Sequence, residues 1–288
     1  MFNRLNTSHK GMVFALAGYS GFAISDASAK FLTASLPIIH IVAFIVLCAC
    51  MFLALAAPFI GGFRKPKPGL LKFHILRGVM NFMVSVLIVT AFSKLPLASA
   101  YTIVFAKPFL VALLAIPLYG QKVQPRHWAV IAAGFTGVVI AMRPSLAGID
   151  PAMLLALGAA CCSALMWVTA RSLQEETPFA LGFYPALCTA VLCLPFVLAN
   201  FQLPALGQLP FIMICGAGIS CGIVCLSLAY RAAPSSAAIA PFHYSQMIWG
   251  GLLGYLIFGD VPSSHTLIGA FIIIASGLFL ILSERKNL

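Results

Sequence analysis

Hydrophobic positions in this chain run in long blocks, separated by short breaks that carry charges and prolines. A bilayer core about 30 Å thick takes roughly 20 helical residues, and the blocks have that length. Turn signals and charges mark ten helices, at about 11–32, 37–59, 72–93, 97–118, 127–143, 151–171, 179–199, 210–230, 235–258 and 265–283. Pro37, the RKPKP cluster at 64–68, Pro96, Pro125, Pro151, Pro178, Pro204, Pro234 and Pro262 fall at the breaks. Proline is tolerated at or before a helix start, where no backbone N–H is needed.

Composition turns this pattern into a class. The chain is 62% hydrophobic and 8% charged, with a mean hydropathy of +1.05, whereas a soluble domain carries about 25% charged residues. It is expected to be an all-α integral membrane protein, and ten spans leave no room in 288 residues for a folded soluble domain. The run after Lys10 continues past twenty residues without a small-residue cleavage pattern, so it reads as a retained first span. The +11 charge does not point to nucleic acid, which needs basic residues gathered on one solvated face. With the N-terminus cytoplasmic, alternate loops place Arg4, Lys10, Arg64, Lys65, Lys67, Lys72, Lys122, Arg126, Arg171, Arg231, Arg285 and Lys286 inside, and only Lys94 and Arg143 outside. That bias orients both termini to the cytoplasm of a cell membrane, the inner membrane of a bacterium. The nine cysteines all fall in spans without metal-ligand spacing and read as small buried hydrophobes.

The chain also repeats itself. Ala91, Pro96 and Ala100 precede Ala229, Pro234 and Ala238 by 138 residues, and Gly120-Gln121 precedes Gly259-Asp260 by 139. His127 with His265, and Gly137 with Gly277, continue the parallel at 138 and 140. Two halves follow, 1–145 and 146–288, of five helices each. An odd number per half forces the second to insert upside down, giving two inverted five-helix repeats around a central cavity.

Leu76-Arg77-Gly78, Leu95-Pro96-Leu97-Ala98 with Ala100, Pro108, Gly120-Gln121-Lys122-Val123, and Gly134 with Gly137 form an ordered set. Pro234, Ala237-Ala238, Gly259-Asp260-Val261, and Gly269 with Gly277 echo it. The set resembles the EamA family of the drug/metabolite transporter superfamily. That family usually carries Gly-Glu where this chain has Gly120-Gln121 and Gly259-Asp260. The resemblance implies a ten-helix carrier of small metabolites, often amino acids or nucleoside-like compounds, without naming the solute.

Candidate chemistry starts with Lys107, which sits at mid-depth in an apolar span and is followed by Pro108. A buried ammonium costs several kcal/mol unless something compensates it, so an intramembrane lysine marks a functional site. Pro108 and Pro241 are expected to interrupt the two matching central helices, where inverted-repeat carriers hold substrate. On the ninth helix His243 and Gln246 share a face, with Tyr244 and Trp249 beside them; His243 also reads as a neutral ring bonded to one carbonyl. On the third helix His74, Arg77, Asn81 and Ser85 form a stripe that either faces a cavity or lets Arg77 snorkel to headgroups while Asn81 bonds a neighbouring helix. Trp167 either stacks on a ligand or belongs to an interfacial belt. Tyr101 completes the aromatic wall. Asp26 pairs with Lys30 at i+4 or carries a coupling proton, a role also open to His243. Gly18, Gly21, Gly251 and Gly254 are expected in tight helix packing.

The expected function is secondary transport by alternating access. The solute is an exported amino acid or related zwitterion whose carboxylate pairs with Lys107, and a proton or counter-substrate supplies coupling. The alternative is uptake or exchange of an S-adenosylmethionine-like or nucleoside-like solute. An intramembrane enzyme is the rival from another class; it would need a nucleophile, a base and an orienting group that the sequence does not bring together. No cofactor or metal is called for, and no ATP-binding element is present.

Overall fold

A computed structural model describes residues 2–63, 67–120, 125–143, 149–173, 175–232 and 239–285. Gln121, Lys122, Val123, Pro234, Ala237 and Ala238 of the repeated set, and Arg64, Lys65 and Lys286 of the charge pattern, lie outside the described residues.

Among the described residues eleven α-helices follow one another: α1 Phe2–Leu32, α2 Ile38–Ala56, α3 Leu71–Phe92, α4 Leu97–Val104, α5 Lys107–Tyr119, α6 Pro125–Met142, α7 Pro151–Thr169, α8 Pro178–Ala199, α9 Leu209–Ala232, α10 Ser245–Phe258 and α11 Ser264–Arg285. The halves α4 and α5 form one broken span, and a 3-10 turn at Ala240–Tyr244 leads into α10. Ten membrane crossings result, in the predicted order. An even number returns the C-terminus to the N-terminal end; the opposite end, where α1 stops, is the far end below. Among the described residues six stretches are long and apolar enough to cross a membrane by length and composition alone: Ile38–Phe59, Leu71–Phe92, Leu97–Tyr119, Pro151–Thr169, Pro178–Ala199 and Leu209–Ala232.

Local chemistry sets the ends. Asp150 caps α7 by accepting from the Ala152 N–H at 2.8 Å, and Thr177 caps α8 by accepting from Ala180 at 3.2 Å; proline follows each cap. The helices α5 and α10 both stop at a left-handed glycine, Gly120 (φ 63°) and Gly259 (φ 68°), a conformation that penalises any side chain. In the fourth span Pro108 has no N–H to give the Val104 carbonyl, and α4 ends there. In the ninth span Pro241 falls at the start of the 3-10 turn Ala240–Tyr244 that precedes α10. One boundary differs from expectation: α1 begins at Phe2 rather than near residue 11, because no proline breaks that polar lead-in and the helix runs on through it.

The helices α1 and α9 share the longest contact, and α3 and α7 form the corresponding pair; α2 lies against α8 and α9, α3 against α8, and α6 against α11. The central spans meet where α4 touches α10, flanked by α1 on one side and α7 on the other. Exchanging each span with the one five later leaves these main pairings unchanged. In lipid the helices gain little from hiding apolar surface, so close backbone approach and packing hold them. At Gly21 an added Cβ would lie 2.9 Å from the Gly218 carbonyl, and at Gly18 one would lie 3.1 Å from Leu226. By contrast Gly251 meets nothing within 4 Å and Gly254 nothing nearer than 3.7 Å, so neither is a tight packing position. The main buried cluster surrounds the broken spans, with Phe92, Leu97, Tyr101, Phe105, Phe109, Tyr244, Met247 and Ile273 in it.

Candidate functional site

Three helices meet at one carboxylate. Asp26 of α1 accepts the Tyr101 hydroxyl of α4 at 2.6 Å and the Gln246 amide of α10 at 3.1 Å, and both bonds fall on Oδ2. No described residue donates to Oδ1. That oxygen is also not among the sealed, unpartnered polar atoms of the described residues, which are His40 Nδ1, His74 Nδ1 and Nε2, and Arg77 Nε. Among the described residues the carboxylate is therefore anchored through one oxygen only. Tyr101 is held by edge contacts with Phe92 and Phe105, at 5.9 and 6.5 Å. Its ring also rests against Gly250, where an added Cβ would come within 2.0 Å of it.

Lys107 starts α5 at the helix break, and its ammonium sits 5.3 Å from the centre of the Trp167 ring on α7. A cation over an indole face is worth up to about 2 kcal/mol when desolvated. Lys107 and Asp26 act on each other electrostatically, yet no ion pair within 4.0 Å joins them. His243, in the turn ahead of α10, also feels the Lys107 charge; its ring stacks on Tyr19 at 4.9 Å and lies 4.6 Å from Phe105. The two helix breaks thus bring an acid, a lysine and a histidine together in the bundle, and the lysine reaches the ring of Trp167, which is itself 46% exposed on α7. Such a set can hold opposite charges apart; it contains no nucleophile with a base aimed at it.

The structure brings Tyr101, Gln246 and Lys107 to Asp26, while His243 and Trp167 join the group through Lys107. Tyr244 is 6% exposed and stacks on Phe105 at 5.4 Å, while its hydroxyl fills the space beside Gly277, so it packs the wall. Trp249 of α10 is 37% exposed and takes no part in the hydrogen bonds and ring contacts of this group. Arg77 and Asn81 lie elsewhere, between α3, α7 and α8. The guanidinium donates to the carbonyls of Met166 and of Leu181, the latter at 3.4 Å, and Asn81 donates to Thr189 at 2.8 Å. Arg77 is buried, so it neither snorkels nor joins Lys107. Nearby His74 approaches Glu176 to 3.7 Å.

One expectation is overturned. Asp26 and Lys30 are not an intrahelical pair: Lys30 bonds Asp260 at 2.6 Å and the Leu95 carbonyl at 2.8 Å, with the Phe258 ring at 4.8 Å. The lysine reaches toward the far end, where a second acid and a free carbonyl wait, while Tyr101 and Gln246 occupy Asp26. The partner role of Asp260 was missed. The acid that follows the glycine stop of the ninth span, in a chain with six acids in all, was the available signal.

Comparison with known proteins agrees with this architecture. An S-adenosylmethionine uptake transporter of Rickettsia bellii (strain RML369-C) is 30% identical over 214 residues, 74% of this chain and 73% of that protein. The transporter of the same name from Rickettsia prowazekii (strain Madrid E) is 27% identical over 75% of this chain and 73% of its own. A riboflavin transporter of Rhizobium johnstonii is 29% identical over 74% and 71%. A solved crystal structure with 17% identity superposes at a TM-score of 0.66 over 98% of both chains, a likeness of fold alone. The model of the EamA-like transporter family matches twice, over residues 9–143 and 150–283. Because one family model accounts for both runs of five spans in turn, this protein is a multi-pass membrane transporter, not an enzyme, and belongs to the EamA-like transporter family.

Proposed function

We propose that the protein takes up an S-adenosylmethionine-like solute, one that joins a fixed positive charge, an amino-acid carboxylate and a flat aromatic ring. The observation that carries this reading is the separation of Asp26 and Lys107: two opposite charges in one aromatic-walled interior, each held by neighbours and neither neutralising the other. The free Oδ1 of Asp26 takes the solute's cationic end. Lys107 leaves the Trp167 ring for the carboxylate, because a hydrogen-bonded ion pair in a dry site outweighs a cation over a ring. The exposed indole face then takes the aromatic group.

Relatives at 27 and 30% identity that are named S-adenosylmethionine uptake transporters support this solute class. Export of plain amino acids satisfies Asp26 and Lys107 equally but gives Trp167 no aromatic partner, so it ranks second. The carrier works as two oppositely inserted halves, 1–145 and 146–288, rocking around Asp26 and Lys107, with both termini cytoplasmic in a bacterial inner membrane. The packing that survives exchange of spans five apart supports this arrangement.

Uptake of labelled S-adenosylmethionine by proteoliposomes tests the reading. Truncating one partner of a buried charge pair costs about 2–5 kcal/mol, so Lys107→Ala and Asp26→Asn should each lower uptake efficiency by at least about 30-fold. Lys107→Arg should recover little, since the planar guanidinium does not replace a compact ammonium. Wild-type efficiency in Lys107→Ala, with protein correctly inserted, sinks the proposal.

A further inference from the structure

The Lys30–Asp260 ion pair does more than neutralise two charges. It ties three elements together: the Lys30 donor belongs to α1, its partners Asp260 and Phe258 to the end of α10, and Leu95 to the turn that starts α4. These are the same three helices that meet at Asp26, Tyr101 and Gln246, and Lys30 follows Asp26 by one helical turn. A solute entering from the far end must part α1, α4 and α10 above Asp26, and it cannot do so while the Lys30 ammonium holds all three.

The pair suits repeated opening. Its side chains are 13 and 22% exposed, so the charges are dry enough to attract and close enough to water to be rehydrated when they separate.

We propose that Lys30 and Asp260 form a latch that closes the far end and must break once in every transport cycle. The proposal rests on the transport reading above and not on the identity of the solute.

Two measurements test it. Amide hydrogen exchange of the purified protein reports the far end without any solute. Lys30→Met and Asp260→Asn should each speed exchange in segments 93–100 and 255–263 roughly tenfold, which corresponds to about 1.4 kcal/mol of lost latch energy. The charge-swapped Lys30→Asp/Asp260→Lys protein should return toward wild type. Single variants that exchange like wild type, or a swap no better than they are, overturn the latch. The second measurement joins the native Lys30 and Asp260 as an amide with a carbodiimide, in a Glu175→Gln background that removes the Lys67–Glu175 pair from the reaction. Proteoliposomes containing the joined protein should lose uptake in proportion to the joined fraction; undiminished uptake shows that the pair need not open. Wild-type protein that ignores S-adenosylmethionine yet shows latch-dependent exchange defeats the solute assignment and supports the latch.

Discussion

The Tyr101 hydroxyl donates to Asp26 Oδ2 at 2.6 Å, tying α4 to α1 through the same oxygen that Gln246 reaches from α10. The bond orients the carboxylate and leaves Oδ1 for a ligand. A hydrogen bond to a charged group is worth about 1.5–3 kcal/mol. Tyr101→Phe keeps the ring among Phe92 and Phe105 but removes the donor, so the helices should still pack. Calorimetric titration with S-adenosylmethionine should show binding weakened by about tenfold or more, with a melting temperature close to wild type. Unchanged affinity would separate Tyr101 from the site.

Gly250 is the reason that ring can reach Asp26. An added methyl would overlap the Tyr101 ring, with atoms 2.0 Å apart, and the ring is boxed in by Phe92 and Phe105. Overpacking of this kind costs about 1–3 kcal/mol. Gly250→Ala should therefore lower the melting temperature and weaken solute binding together. In Tyr101→Ala the same substitution should cost almost nothing, because the ring it strikes is gone; this non-additivity is the signature of contact. Additive losses would place the Gly250 effect elsewhere.

The ten spans were legible in the sequence because block length and hydropathy report on the bilayer directly, and both helix breaks were legible because a proline lacks an N–H wherever it sits. Lys107 was legible as a charge with no water near it. What the sequence could not show is which residue a long side chain chooses. Lys30 is as near to Asp26 along the helix as any i+4 pair, yet it turns to Asp260, which lies 230 residues away. Likewise the spacing of Arg77 and Asn81 puts them on one face, but only packing decides that this face meets α7 and α8 rather than Lys107.

Outside the spans, Lys67 bonds Glu175 between two exposed loops. The hydrogen bond and charge of Lys67 hold the Glu175 carboxyl below its usual range, and the same bond pushes the Lys67 ammonium up. The Glu175 contribution is thus present above the ordinary carboxylate pKa and fades as pH falls through its depressed value. The Lys67 contribution is present below the ordinary ammonium pKa and fades as pH rises through its raised value. Between pH 5 and 8 neither changes. Thermal melts of wild type and Glu175→Gln should run parallel across that window; curves that diverge near pH 6 would assign the pair a partner that titrates there.

Arg77 supplies the clearest contrast between packing and binding. Its guanidinium is buried, donates to the carbonyls of Met166 and Leu181, and so joins α3 to α7 and α8 away from Asp26. Removing it takes a donor from two part-buried carbonyls, of which Met166 keeps the Thr169 hydroxyl and Leu181 is left without this donor, at about 1–3 kcal/mol. Arg77→Met should therefore lower the melting temperature by several degrees in detergent while the protein that remains folded binds solute with wild-type affinity. Lys107→Ala should do the reverse: affinity falls, and stability holds or rises as a buried charge is removed. Measured side by side, the two variants decide which cation recognises the solute. Should Arg77→Met abolish binding at full stability, the recognition site would have to extend from Lys107 to the α3, α7 and α8 contact.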